Sequence, residues 1–272
     1  MIGLDYLPWP WGEDVLAGLF TVIAFAQGSR RRRAIAWASQ HSTRRPWRLA
    51  LAACAFRGRW VARSALVGVR RPDDLRRRVL IQGEEHLTPT STGTILLGFH
   101  LGPPGVDVAL RIMGHRLAWL GGARTSRAWW RDAWDDLRDL RENLCPPRSH
   151  RFWPGYLYRA RRILLEGGTV FTMADDWAWR GREALPMQVT GGALFIMQGW
   201  LALWRQTNAR VIPVLTHLAG RVQIIAVHPP LVQAGADGTA WPEVLSAMLK
   251  AHVERFPEQG PNLLFPATAD VP

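Results

Sequence analysis

Twelve uncharged residues, 15–26, open the apolar pattern of this chain, with Glu13 and Asp14 before them and Arg30 to Arg33 behind. The run is too short for a bilayer, which takes about 20 apolar residues. Trp9 and Trp11 stand just outside it, where indoles favour a membrane–water interface. It therefore predicts either an interfacial, half-inserted anchor or a buried core helix. From 31 to 78 alanine, leucine and arginine dominate, which predicts helices broken near Arg45-Pro46 and Arg71-Pro72. Beyond 78 the pattern changes. Short apolar runs predict strands in "RVLIQGEEHL" (with a turn), "TGTILLGFH", "HRLAWLGG", "TVFTMADD", "RVIPVLTHL" and "RVQIIAVHPPLV". Helical spacing falls on "VDVALRIMG", ending at Gly114, on 127–143, on "LYRARRILLEGG", on "FIMQGWLALWRQTNA" and on "WPEVLSAMLKAHVERFP". Strands alternating with helices imply an α/β fold with a mostly parallel central sheet flanked by helices, preceded by a basic helical region. The expected division is an anchor with its basic flank over 1–33 and an α/β domain over 34–272. Within that domain a basic helical part spans 34–78 and the sheet core 79–272.

Composition sharpens this in one respect. The net charge is +12, and Lys250 is the single lysine among 34 basic residues. Between Gly28 and Arg78, 15 arginines meet only Asp73 and Asp74, a local balance of +13, so the remainder is close to neutral. Such a block reads as a contact for phosphate-bearing or acidic partners, or as a solvated helical surface. Cys54 and Cys145 lack C-x-x-C spacing and any His/Cys metal pattern, which fits a reducing compartment. No positively charged segment precedes the first apolar run, which argues against a cleaved signal peptide.

The chain has no G-x-S-x-G elbow, G-x-x-x-x-G-K-[ST] loop, G-x-G-x-x-G turn or H-E-x-x-H helix. Serine hydrolases of the α/β type, P-loop enzymes, the usual dinucleotide enzymes and zinc proteases are thereby disfavoured. Asp175-Asp176 is weak evidence for a metal, and no metal is expected. The remaining chemistry lies in "TILLGFHLGPPGVDVAL". His100 closes a strand, where open α/β sheets place their sites. Asp107, seven residues on, heads the next apolar run. Either His100 is a packed core histidine, or Asp107 fixes its tautomer and leaves the other nitrogen to accept a proton from a hydroxyl.

From about residue 31 to 261 the order of blocks resembles the bacterial lipid A acyltransferase family, the lauroyl/myristoyl transferases of the lysophospholipid acyltransferase superfamily. "SRRRRAIAWA" is similar to its basic N-terminal helix, and "VLIQGEEHL" to its strand "v.v.G.ehl". "GTILLGFHLGPPGVD" lies where the family carries a histidine-x4-acid motif, and "LLEGGTVFTMADD" where a strand ends in Asp-Gln. "VTGGALFIMQGWLALWRQTNARVIPV" matches the spacing of "f.Gr......G.a.lA..tga.vvPv" at Gly191, Gly199 and Pro213, and "HVERFPEQG" resembles "i...PeqW". The departures are Gly105 at the motif's acid, Asp176 for the glutamine, Gly192 for the arginine and Gly260 for the tryptophan.

The resemblance implies acyl transfer from acyl carrier protein or coenzyme A to a hydroxyl of a membrane lipid or glycolipid, as in lipid A synthesis. His100 is the expected general base and Asp107 its orienting acid; Asp175, Asp176, Arg180, Arg182 and Gly191 are expected at the substrate. Arg180 and Arg182 stand as candidates for phosphate or oxyanion contacts, or as plain surface charges. No cofactor is expected beyond the thioester donor. The expected place is the cytoplasmic face of a bacterial inner membrane, and no nucleic acid is expected. Gly105 leaves open a catalytically inactive lipid-binding relative. Arginines interleaved with Trp37, Trp47 and Trp60 leave open, less favourably, a nucleic-acid-binding protein.

Overall fold

A computed structural model describes residues 11–41, 45–66, 72–120, 141–143, 154–175, 184–231 and 240–260. Three helices come first: α1 (Trp11–Ala26), α2 (Gly28–His41) and α3 (Pro46–Leu66), with the short α4 (Pro72–Arg76) after them. Their shared core is built from Ala24, Ala34, Trp37, Ala38, Ala50, Ala53 and Cys54. Small side chains let these helices approach closely. At the tightest point a Cβ on Gly58 of α3 would meet the Ala17 Cα and the Leu16 carbonyl of α1, each at 2.6 Å.

Among the described residues are nine strands: β1 (Val79–Gln82), β2 (Thr94–Gly98), β3 (Leu117–Trp119), β4 (Arg141–Asn143), β5 (Thr169–Met173), β6 (Ala184–Val189), β7 (Gly192–Met197), β8 (Arg210–Ala219) and β9 (Val222–Val227). Seven of them form one sheet in the order β1-β9-β8-β2-β5-β3-β4, and β6-β7 is a separate hairpin. Strands β8, β2, β5, β3 and β4 run in one direction. The β8–β9 pair is antiparallel, and β1 follows β9, so two edge strands oppose the rest. The mostly parallel sheet expected from the sequence is present, with that reversed edge.

Strand β2 is buried along its whole length, as a strand covered on both faces must be. Ile95 and Leu97 point into a core shared with α6 (Pro154–Leu165), α7 (Gly199–Thr207) and α8 (Trp241–Arg255). Leu96 points the other way, to Val106 and Leu110 of α5 (Val106–Ile112) and to Phe171 and Ile225. Two expectations change. Phe195 to Met197 belong to β7, with the helix starting only at Gly199; the apolar run fits either state, and pairing with β6 decides it. Arg141 to Asn143 form a parallel strand beside β3 in place of a helix end, and residues 127–140 lie outside the described part.

The helical region is bolted to the reversed edge of the sheet. Glu13 of α1 and Arg63 of α3 form an ion pair at 2.6 Å, with side chains only 2% and 4% exposed. Arg63 also donates to the Arg221 carbonyl at 3.1 Å and to Gln223 Oε1 at 3.4 Å, both at the start of β9. Asp14 reaches Arg221 at 2.7 Å and Arg59 at 3.4 Å. Five charged side chains therefore fix the angle at which α1 meets the sheet.

Candidate active site

His100 and Asp175 are brought together by strand register. In the parallel β2–β5 pair Gly98 stands opposite Met173, so His100 and Asp175 each lie two residues past paired positions. Gly98 leaves room for its neighbours there: a Cβ would meet the Phe171 ring at 2.5 Å and Met173 Sδ at 2.9 Å. The Ala174 amide donates to the Gly98 carbonyl at 2.8 Å, and the chain then bridges from Asp175 to Ile196 of β7. Asp175 is thus held from both sides and is 3% exposed.

Its carboxylate accepts from the His100 backbone N–H at 2.8 and 3.0 Å, through Oδ1 and Oδ2. The His100 Nδ1 lies 3.0 Å from Asp175 Oδ1 and 3.1 Å from the Asp175 carbonyl. Two acceptors at one nitrogen place the proton on Nδ1. Nδ1 faces Asp175, which puts Nε2 on the opposite edge of a ring that is 28% exposed. A neutral imidazole oriented in this way is equipped to take a proton from a hydroxyl.

The turn after His100 is held by residues far along the chain. Gly102 has φ 77°, and a Cβ there would run into the Thr216 carbonyl of β8. The Gly102 N–H donates to the Gln259 carbonyl at 2.7 Å. Gln259, 5% exposed, also clasps the Leu218 backbone: the Leu218 N–H donates to Oε1 at 2.6 Å, and Nε2 donates to the Leu218 carbonyl at 3.0 Å. Beside this clasp His217 stacks on Phe256 at 3.9 Å, with His252 6.1 Å from His217. Burial, then the neighbouring His217 and His228, push the His252 pKa down to about 4.

The expected His100–Asp107 pair is not formed, and Asp175 takes that place. Gly105, at φ 84°, caps α5, which puts Asp107 in the helix's first turn. Among the described residues Asp107 makes no hydrogen bond to His100. It lies one turn before Arg111, a guanidinium only 5% exposed, whose pKa falls through burial and is raised in part by Asp107. Asp107 is a counter-charge for that arginine. Gly191, also expected at the substrate, turns the β6–β7 hairpin at φ 84° with its Cα against His41 and Trp37 of α2. Asp176, Arg180 and Arg182 lie outside the described residues. Sequence reasoning missed the contact of Asp175 with His100 and the clasp of Gln259. A histidine and an acid each closing a strand was the available signal for the first.

No family model matches the chain, and no curated protein does. Among solved structures, the crystal structure of the 1-acyl-sn-glycerophosphate (LPA) acyltransferase PlsC from Thermotoga maritima is similar at a TM-score of 0.42 and 14% identity, over 89% of this chain and 97% of that one. A likeness of that degree fixes neither fold nor activity, and the chemistry of this chain rests on its own geometry.

Proposed function

We propose that this protein is an acyltransferase, moving a fatty acyl group from a thioester donor, acyl carrier protein or coenzyme A, to a hydroxyl of a membrane lipid or glycolipid. The observation that carries this reading is the imidazole of His100, tethered through Nδ1 to the buried Asp175 at the end of a parallel strand. Nε2 takes the proton of the acceptor hydroxyl as its oxygen attacks the thioester carbonyl. Asp175 stabilises the imidazolium that forms. The tetrahedral oxyanion then collapses, the C–S bond breaks, and the departing sulfur takes the proton back from His100. Arg180 and Arg182, six and four residues short of Pro186 in β6, are our candidates for contacts to the oxyanion or to a substrate phosphate.

The test is transfer of radiolabelled acyl groups from acyl carrier protein and coenzyme A to extracted lipids, with His100→Ala beside the wild type. A loss of about 10²-fold or more, with unchanged circular dichroism, supports the base. Undiminished transfer by His100→Ala removes it. Gly105 at the position where the resembled family carries its acid favours a second reading, a lipid-binding relative without activity. Lipid binding with no transfer from either donor decides for that one.

The site calls for a membrane surface, and α1 supplies a candidate. No described helix is long and apolar enough to cross a membrane. Helix α1 instead exposes Trp11, Val15, Leu19, Val22 and Ile23 along one stripe, with Arg30 to Arg33 exposed at the start of α2. An apolar stripe with a basic flank suits the plane of an anionic bilayer, here the cytoplasmic face of a bacterial inner membrane. Val15→Asp with Val22→Asp is expected to release the protein from vesicles without unfolding it. Unchanged sedimentation of that variant with vesicles refutes the docking face.

A further inference from the structure

A second basic feature lies at the other end of the α1 stripe. An open cleft of about 370 Å³ is lined by Arg77, Arg78, Arg221 and Val222. Its place follows from strand register. Arg77 and Arg78 lead into β1, which pairs Val79 with Gln223, and Arg221 sits in the turn between β8 and β9. Strand β8 leaves its partner β2 at Val214 and continues to Ala219. That extension carries the cleft past the level of Thr216, the residue abutting Gly102, by about 10 Å at roughly 3.3 Å per residue. The cleft and His100 therefore lie at the same end of the sheet's strands, the cleft at the reversed edge and His100 after the central β2.

The cleft is joined to α1 directly. Asp14 holds Arg221 at 2.7 Å, and Trp11, one helical turn before Asp14, is 62% exposed. Asp14 offsets part of the charge of Arg221, and the Glu13 carboxylate acts on Arg78. Arg77 is exposed, and among the described residues its side chain has no carboxylate partner. Guanidinium groups grouped in this way match the oxygens of a phosphate. An apolar stripe starting beside them matches acyl chains. The combination is that of an amphiphile, head at one end and tails along the helix.

We propose that the cleft of Arg77, Arg78 and Arg221 seats the phosphate of a bilayer lipid headgroup, so that α1 lies on the membrane with arginines gripping the surface at both of its ends. This rests on the membrane reading of α1 and adds a defined phosphate site to it. The site holds the His100 end of the sheet toward the bilayer, where an acceptor hydroxyl is presented.

The experiment is sedimentation of the full chain with vesicles of three compositions at one ionic strength. One set is phosphatidylcholine alone, one carries phosphatidylglycerol, and one carries cholesteryl hemisuccinate, a carboxylate, at matched charge. Wild type is expected to prefer phosphatidylglycerol over the carboxylate. Arg77→Gln, whose side chain holds no carboxylate in the fold, is expected to lower affinity for phosphatidylglycerol about fivefold, and Arg77→Gln with Arg221→Gln about thirtyfold. Both variants lose the preference for phosphate. A control, Arg30→Gln with Arg31→Gln, removes the same charge, weakens both anionic vesicles alike and keeps the preference. Equal behaviour of cleft and control variants, or binding with no preference for phosphate, overturns the phosphate site alone. Sedimentation with no vesicle at all overturns the membrane reading and this site with it. Capture of acyl carrier protein that Arg77→Gln abolishes, with vesicle binding unchanged, assigns the cleft to a protein and overturns the lipid.

Discussion

Asp175 faces two N–H donors of His100 at once, and an amide in its place has only one oxygen to offer them. Asp175→Asn is therefore expected to turn the imidazole or shift its proton, lowering kcat by about 10²- to 10⁴-fold with little change in KM. Asp107→Asn is expected to leave the pH profile of transfer unmoved. It lowers stability by about 0.5–1 kcal/mol in urea unfolding, because the buried Arg111 loses its counter-charge. A reversal of these two outcomes would restore Asp107 as the partner of His100. The histidine was legible in the sequence because an apolar run ended on it. Its acid was not, since the distance between two strand ends depends on which strands are neighbours. The seven-residue spacing to Asp107 is local and visible; the register that sets Asp175 beside His100 spans 75 positions.

Helix α1 shows what one buried ion pair does for an element whose outer face is apolar. Glu13 and Arg63 hold it at the correct depth, and removal of one partner leaves the other charged and dry. Glu13→Ala is expected to cost about 3–5 kcal/mol, whereas Glu13→Leu with Arg63→Leu recovers most of that loss in thermal unfolding. A double variant as unstable as the single one would mean that the links of Arg63 to Gln223 and to the Arg221 carbonyl matter more than the pair. At this scale the sequence was informative for helices: the breaks expected at Pro46 and Pro72 are the starts of α3 and α4. It misled over residues 195–197. "ALFIM" is apolar enough for a helix, and its pairing with "LPMQV" follows from the two-residue turn of Thr190 and Gly191, where φ is positive at Gly191. The antiparallel β9 was likewise signalled by the two-residue turn of Gly220 and Arg221, with Gly220 at φ 62°.

For the whole molecule the histidines set a lower pH limit. His252 is held neutral by burial, by His217 and by His228, with Arg255 adding to this and only the Thr216 backbone opposing it. Its folded pKa of about 4 lies below the ordinary value of 6.5. Between those values the unfolded chain binds the extra proton, so stability is expected to fall as pH drops from 6.5 to 4 and to level off beneath. Melting temperatures across that range test this, and His252→Leu should flatten the slope; an equally steep slope in the variant assigns it to other groups. The clasp of Gln259 has a consequence in time. The turn carrying His100 makes its backbone bond to a residue 157 positions later. A growing chain can complete β2 and β5, and so pair imidazole with carboxylate, long before that bond exists. Until residues 257–259 arrive, Gly102 lacks this anchor and the histidine turn has freedom to move. The turn that carries His100 therefore gains its full set of bonds only after residues 257–259 have docked.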